Sequence, residues 1–229
     1  MQRFFDVFFS GLALVVLAPL LLPIALILRL TGEGEIFYRQ TRVGLNGEHF
    51  GLLKFATMLK DSPNMGSGTL TLKDDPRVLP LGRLLRATKI NELPQLFNVV
   101  KGDMSVIGPR PQTRRCFDAF PARLREEIVR VRPGLSGVGA IAFRAEDQML
   151  ADAEHADRTY DELIMPYKGE LEAWYVHNAG VGLYFALIAL TCWVIVFPSS
   201  ALLWRLFPDL PRPPAPLAPY FAGAGAAAQ

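Results

Sequence analysis

The chain is poor in cysteine: only Cys116 and Cys192 occur in 229 residues. Cys192 lies inside an apolar run, so no disulfide framework is indicated and a reducing compartment fits best. An excess of either charge is also missing, since 24 Lys and Arg stand against 22 Asp and Glu for a formal net charge of +2. So even a balance gives no electrostatic footprint for nucleic acid, and no nucleic-acid partner is expected. The three histidines, His49, His155 and His177, have no metal-ligand spacing. No internal repeat is visible.

Charge is missing altogether from two stretches. From Val7 to Leu28 the chain reads VFFSGLALVVLAPLLLPIALIL, and at about 1.5 Å per residue a helix of that length crosses the roughly 30 Å hydrocarbon layer. The following ILRLTGEGEIF offers no small-residue cleavage pattern, so the segment is expected to stay on the protein rather than be removed as a signal peptide. Pro19 and Pro23 predict a kink near its middle. Arg3 and Arg29 flank it without favouring one side. On pattern alone a membrane span is the expectation. The second uncharged stretch, 179–204, carries VGLYFALIALTCWVIVF followed by Pro198, with Trp193, Trp204 and Arg205 as interfacial residue types. It predicts either a second membrane contact or an oligomer interface over 181–197. The stretch from 208 to 229, rich in Pro, Ala and Gly, predicts a disordered tail.

Between these runs the composition is that of a soluble block, 31–178. FYRQTRVGLNGEHFGLLKF interleaves apolar and polar residues around Asn46-Gly47, predicting a hairpin with strands at 36–42 and 49–55. Residues 61–80 are rich in Gly, Pro, Ser and Asp and predict a long loop near a site. Helical periodicity follows in 82–90, 92–100, 116–131 and 152–176. The fold class is mainly α with a small β-hairpin, α+β.

The run TKINELPQLFNVVKGDMSVIGPRP, 88–111, crowds polar groups and prolines around an apolar patch. Asn91 reads as a helix N-cap, Glu92 as a first-turn acid and Pro94 as an early-turn proline, so a helix starts at or near Asn91. Such a start suits a phosphate, although a plain capped helix explains the segment by itself. Lys54, Arg86, Arg110 and Arg144 add cations suited to a diphosphate, and a carboxylate pair would suit Mg²⁺ beside it. Each of these, Asp103 included, taken singly is also an ordinary surface charge.

Taken in order, FYRQTRVGLNGEHF, LLKFATM, DDPRVLPLGRLLRATKINELPQLFNVVKGDMSVIGPRP and RPGLSG resemble the bacterial sugar transferases, the small monotopic phosphoglycosyl transferases, over about residues 3–144. The resemblance implies transfer of a sugar phosphate from a UDP-sugar to polyprenyl phosphate with release of UMP, with Mg²⁺ as cofactor, as an opening step of glycoconjugate synthesis. It also implies an N-terminal helix, 1–30, that breaks at Pro19, or at Pro23, and re-enters the cytoplasmic leaflet. That replaces the span expected from hydropathy. The catalytic domain then lies on the cytoplasmic face of the inner membrane, in contact with lipid through interfacial helices, with an apolar helix at 179–207.

The implied mechanism uses an Asp-Glu pair, the Asp attacking phosphorus near Mg²⁺. That pair falls on Asn91 and Glu92, so an amide stands where the family has its nucleophile. An amide is a very poor nucleophile and a neutral, single-oxygen metal ligand. Three explanations stand side by side: a change from Asp that preserves the site's shape, a branch in which Glu92 or the acceptor phosphate attacks, or an inactive relative that binds substrate or partners at the membrane. The resemblance further implies phosphate contacts for Arg86, Arg110 and Arg144, a substrate role for Lys54, and a loop shaped by Pro109 and Pro111 that aims Arg110. Two positions depart: Ala56 replaces an arginine and Ala140 a glutamine.

Overall fold

The computed structural model describes residues 1–65, 75–144, 146–151 and 156–221. The chain divides into two compact units: one of residues 1–5, 42–50 and 103–229, the other of 6–41 and 51–102. The expected loop at 61–80 lies partly outside the described residues.

The second unit is dominated by helix α1, Gln2–Leu30, whose first turn belongs to the first unit. Apolar side chains throughout make it long and apolar enough to cross a membrane by length and composition, and few of them are buried. Both prolines lie within one continuous helix, although each removes a ladder hydrogen bond. The C-terminal part of α1 is packed: Ile24 and Leu28 form a small core with Phe55 and Leu85. Phe55 ends the hairpin of strands β1, Phe37–Val43, and β2, His49–Phe55. At its tip Asn46 and Gly47 both have positive φ, 56° and 78°, the conformation that Asn-Gly favours in hairpin turns. Leu85 comes from α2, Pro80–Ala87, which starts on a proline whose missing N–H would have had no helical partner anyway. A buried fork links Arg77 to Asp75, at 2.9 and 2.6 Å, and to the carbonyls of Ser62 and Met65, each at 2.7 Å.

The next stretch corrects the sequence reading. Lys89 turns the chain at φ 59°, a tight 3₁₀ turn follows over Ile90–Glu92, and α3 runs only from Gln95 to Lys101 with Pro94 as its N-cap. Asn91 is therefore not the cap of that helix. The left-handed residue 89 stops α2 and resets the chain direction before α3 begins. Gly102, at φ 106°, closes α3 by donating to the carbonyls of Asn98 and Val99, the usual glycine exit.

In the first unit, β3, Ser105–Ile107, pairs in parallel with β4, Gly134–Ser136, in the register Ser105 to Gly134 and Ile107 to Ser136. The two backbones continue in contact beyond the strands: a Cβ on Gly134 would lie 2.1 Å from the Gly108 nitrogen. Only glycine permits that approach. The expected helix at 116–131 is two, α4, Arg114–Asp118, and α5, Ala122–Ile128, because Pro121 interrupts it. Thr113 caps α4, its hydroxyl accepting from Cys116 N–H at 3.4 Å. Short helices α6, Val138–Ala142, α7, Glu146–Ala151, and α8, Ala156–Thr159, follow. A single π-turn, Tyr160–Ile164, leads into α9, Met165–Asn178. Pro166, which cannot continue an α-ladder, sits just after that turn.

The apolar run forms α10, Val181–Val196, a 16-residue helix, about 24 Å long. It buries Tyr184, Leu187, Leu190 and Val194 in the core of the first unit and leaves Trp193, Ile195 and Val196 exposed. One face is thus ordinary core packing. After α11, Leu202–Leu206, the segment expected to be a disordered tail is packed as far as residue 221: Leu210, Leu217 and Phe221 are buried, and the Phe221 ring meets Phe143, Tyr167 and Trp204 edge-on. Three well-spaced apolar side chains outweigh the Pro-rich composition around them. Residues 222–229 lie outside the described residues.

Candidate active site

Four of the residues singled out in the sequence, Lys54, Arg86, Asn91 and Glu92, fall in the second unit, and four, Pro109, Arg110, Pro111 and Arg144, in the first. Within the second unit Lys54 Nζ meets Glu92 Oε1 at 3.2 Å, both side chains being mostly buried. Lys54 reaches it from the end of β2, and Glu92 from the 3₁₀ turn. Next to Glu92, Asn91 is buried, and its Oδ1 has no hydrogen-bond partner among the described residues. An orphaned buried acceptor carries a desolvation cost, and in a site it is a free ligand atom. Arg86, half-buried on α2, directs Nη1 to Met58 Sδ at 3.7 Å.

Asn98, overlooked in the sequence, holds this arrangement. Its side chain is buried on α3, Oδ1 accepting from Leu53 N–H at 2.9 Å and Nδ2 donating to Gly51 O at 2.8 Å. The amide reproduces a strand's donor and acceptor, so α3 is stapled to β2 one residue before Lys54. An asparagine is a poor interior helix residue unless its side chain is used elsewhere, and that was the available signal. Asn98→Ala is expected to cost about 2–3 kcal/mol by stranding two backbone groups, read as a lower urea midpoint; an unchanged midpoint would deny the staple.

In the first unit, Arg110 sits between Pro109 and Pro111 on the loop leaving β3. The loop is anchored by Arg42 Nη1 donating to Pro111 O at 3.0 Å and by Val43 N–H donating to Gln112 O at 2.9 Å. The Arg110 N–H donates to Glu172 Oε1 at 3.1 Å. Arg144 follows α6 and donates to Pro198 O at 2.9 Å; burial lowers its pKa. Glu172 is buried on α9, and burial pushes its carboxyl up to about 7 against the opposing pull of the Arg110 and Gly139 amides and Lys168. Sequence reading saw only helical periodicity over 152–176 and singled out neither Lys168 nor Glu172. Their partners are remote in sequence, so no local signal marked them.

Among the described residues no cluster of three or more Asp, Glu, His or Cys exists that could hold a metal. Asn91 and Glu92 are neighbours in the 3₁₀ turn, and each bears a side-chain oxygen. Oxygen is the ligand type that suits Mg²⁺, which commonly takes one or two protein oxygens and completes its shell with phosphates and water.

Residues 1–198 match the family of bacterial sugar transferases, and the chain belongs to it. Among its relatives, an undecaprenyl-phosphate glucose phosphotransferase of Komagataeibacter xylinus is 40% identical over 141 residues, covering 59% of this chain and 26% of the relative. A UDP-glucose:undecaprenyl-phosphate glucose-1-phosphate transferase of Caulobacter vibrioides is 42% identical over 144 residues, 61% of this chain and 53% of the relative. An exopolysaccharide production protein, PSS, of Rhizobium leguminosarum bv. phaseoli is 44% identical over 145 residues, 60% and 72%. The chain thus spans about a quarter of the first of these and about half of the second.

Proposed function

We propose that this protein transfers a sugar 1-phosphate from a UDP-sugar to polyprenyl phosphate at the cytoplasmic face of the inner membrane, as an opening step of exopolysaccharide synthesis. The phosphorus carrying the sugar forms a bond to an oxygen of polyprenyl phosphate, its bond to UMP breaks, and UMP leaves with the electron pair. The observation that carries this reading is the Lys54–Glu92 ion pair beside the buried, unpartnered Asn91 Oδ1, in a family whose Caulobacter relative is named for UDP-glucose and undecaprenyl phosphate. Glu92 and Asn91 would hold Mg²⁺, which supplies neutralisation of the diphosphate charge when bound.

The chain's own residues do the remainder. Lys54 holds the Glu92 carboxylate in place, and Arg86, Arg110 and Arg144 offer planar forks to phosphate oxygens. Asn91 occupies the place of the covalent nucleophile without its charge. UMP release by the protein in nanodiscs, with Mg²⁺, polyprenyl phosphate and a panel of UDP-sugars, tests the proposal. UMP that forms only when both substrates are present supports it; binding of both without any UMP, in this protein and in Asn91→Asp alike, would make it a membrane-bound binding protein instead.

The membrane arrangement belongs to the same proposal: α1 enters and leaves the cytoplasmic leaflet with its bend at Pro19. Two mid-helix prolines, each lacking a donor, support this. With Cys116 and Cys192 changed to Ser, cysteines placed at Gln2 and at Thr31 are expected to react with an impermeant maleimide from the same, cytoplasmic side. Labelling from opposite sides would establish a span.

A further inference from the structure

Helix α9 carries two buried ionisable side chains one turn apart, Lys168 and Glu172, both within the first unit. They are on one face of the helix, at i and i+4. Neither is spent on the other. Glu172 Oε1 accepts from the Arg110 N–H, and the backbone of Gly139 on α6 lies against the same carboxylate. The fit is tight enough that a Cβ on Gly139 would lie 2.3 Å from Oε1. Glu172 Oε2 has no hydrogen-bond partner among the described residues, so the hydrogen bonding of this carboxyl goes to backbone. Lys168 Nζ meets Glu146 Oε2 at 2.7 Å and lies 5.1 Å from the centre of the Phe143 ring. Those two residues bracket Arg144.

A buried charge is costly to keep unless its partners are well placed, and here each of the two is placed on a segment that carries an arginine. We propose that Lys168 and Glu172 are positioning residues for phosphate binding: Glu172 fixes the backbone from which Arg110 projects, and Lys168 fixes the segment from which Arg144 projects. This rests on the reading of Arg110 and Arg144 as contacts to the phosphates of a nucleotide sugar. Neither positioning residue touches substrate. Their effect passes through the backbone amide of residue 110 on one side and through Phe143 and Glu146 on the other.

The test compares the full protein in nanodiscs with Glu172→Leu, Glu172→Gln, Lys168→Met, Arg110→Ala and Arg144→Ala. Two quantities are read: hydrogen exchange of the backbone over 105–114 and 138–146, and the affinity for UDP. Glu172→Leu is expected to speed exchange at Arg110 and Gly139 about tenfold or more, and to weaken UDP binding by a similar factor, because the buried acceptor that holds this backbone is lost. Glu172→Gln keeps an acceptor oxygen of the same shape and is expected within about threefold of the parent in both. Lys168→Met, which keeps the apolar stem, is expected to loosen 143–146 selectively and to weaken UDP; it carries the test if Glu172→Leu does not fold.

Exchange that stays unchanged at both segments would overturn the proposal, as would weaker UDP binding without any local change in exchange. A uniform rise across the whole unit would overturn it too, since that marks general stability rather than positioning. If Arg110→Ala and Arg144→Ala leave UDP affinity untouched, the phosphate reading itself fails. The exchange data then still show whether the two clamps exist, so the two failures are told apart.

Discussion

Asn91→Asp is expected to raise UMP release by on the order of 10³-fold or more, the scale on which enzymes lose rate when a covalent nucleophile is removed. Asn and Asp have nearly the same shape, so the 3₁₀ turn over Ile90–Glu92 and the Lys54–Glu92 pair have no steric reason to change. What changes is that the amide NH₂ becomes a second oxygen and the two share a negative charge, beside an Oδ1 that lacks a hydrogen-bond partner among the described residues. Glu92 cannot take over by a small adjustment. In a turn with about three residues per revolution, adjacent side chains point roughly 120° apart, and Glu92 is already engaged by Lys54 at 3.2 Å. The same substitution is expected to lower thermal stability, because residue 91 is buried and a carboxylate there must be desolvated. Higher activity with lower stability is the signature of a restored functional group rather than a better-folded protein. Equal activity in the two proteins would instead mean that Glu92 or the acceptor phosphate attacks directly.

Much of the scaffold was legible because its signals are local. Asn46-Gly47 marks the hairpin through the positive φ of both residues, and the uncharged run from Val7 predicts α1 without help from any other segment. Where the reading failed, a local signal was outvoted. Asn91 has the chemistry of a helix cap, but the left-handed Lys89 makes a separate turn of residues 90–92 and delays α3 to Gln95. Residues 208–221 have the composition of a disordered tail, yet Leu210, Leu217 and Phe221 find a core built by α6, α9, α10 and α11. The site was legible as residue types and not as pairings. Lys54 was read as a substrate contact, and its partner Glu92 stands 38 residues away in sequence; Asn98 and Glu172 satisfy backbone groups 45 and 62 residues distant. Pattern along the chain carries periodicity, whereas such pairings exist only once the chain has folded.

The stability of the protein is expected to fall by about 3 kcal/mol between pH 4.5 and pH 8 through Glu172 alone. Burial raises its pKa from 4.5 to about 7 in the folded protein, about 2.5 pH units at about 1.4 kcal/mol each. Between those two values the folded chain holds a proton that the unfolded chain has released, so unfolding becomes easier as pH rises. The contribution is fully present below about 4.5 and is lost as pH rises through about 7. The charged groups facing Glu172 are Lys168, one turn back on α9, and Arg110 on the loop after β3. Both act to lower its pKa and are outweighed by burial. Asp118, an exposed carboxylate beside Arg114, has a lowered pKa, so its contribution disappears only in more acidic solution. Urea midpoints from pH 5 to 8 for the protein and for Glu172→Gln isolate the effect: the parent loses stability relative to the variant as pH rises. Parallel curves would mean that the carboxyl titrates alike in both states. A parent that instead gains on Glu172→Gln would mean that the Arg110 and Gly139 amides outweigh burial, leaving Glu172 a permanently charged clamp.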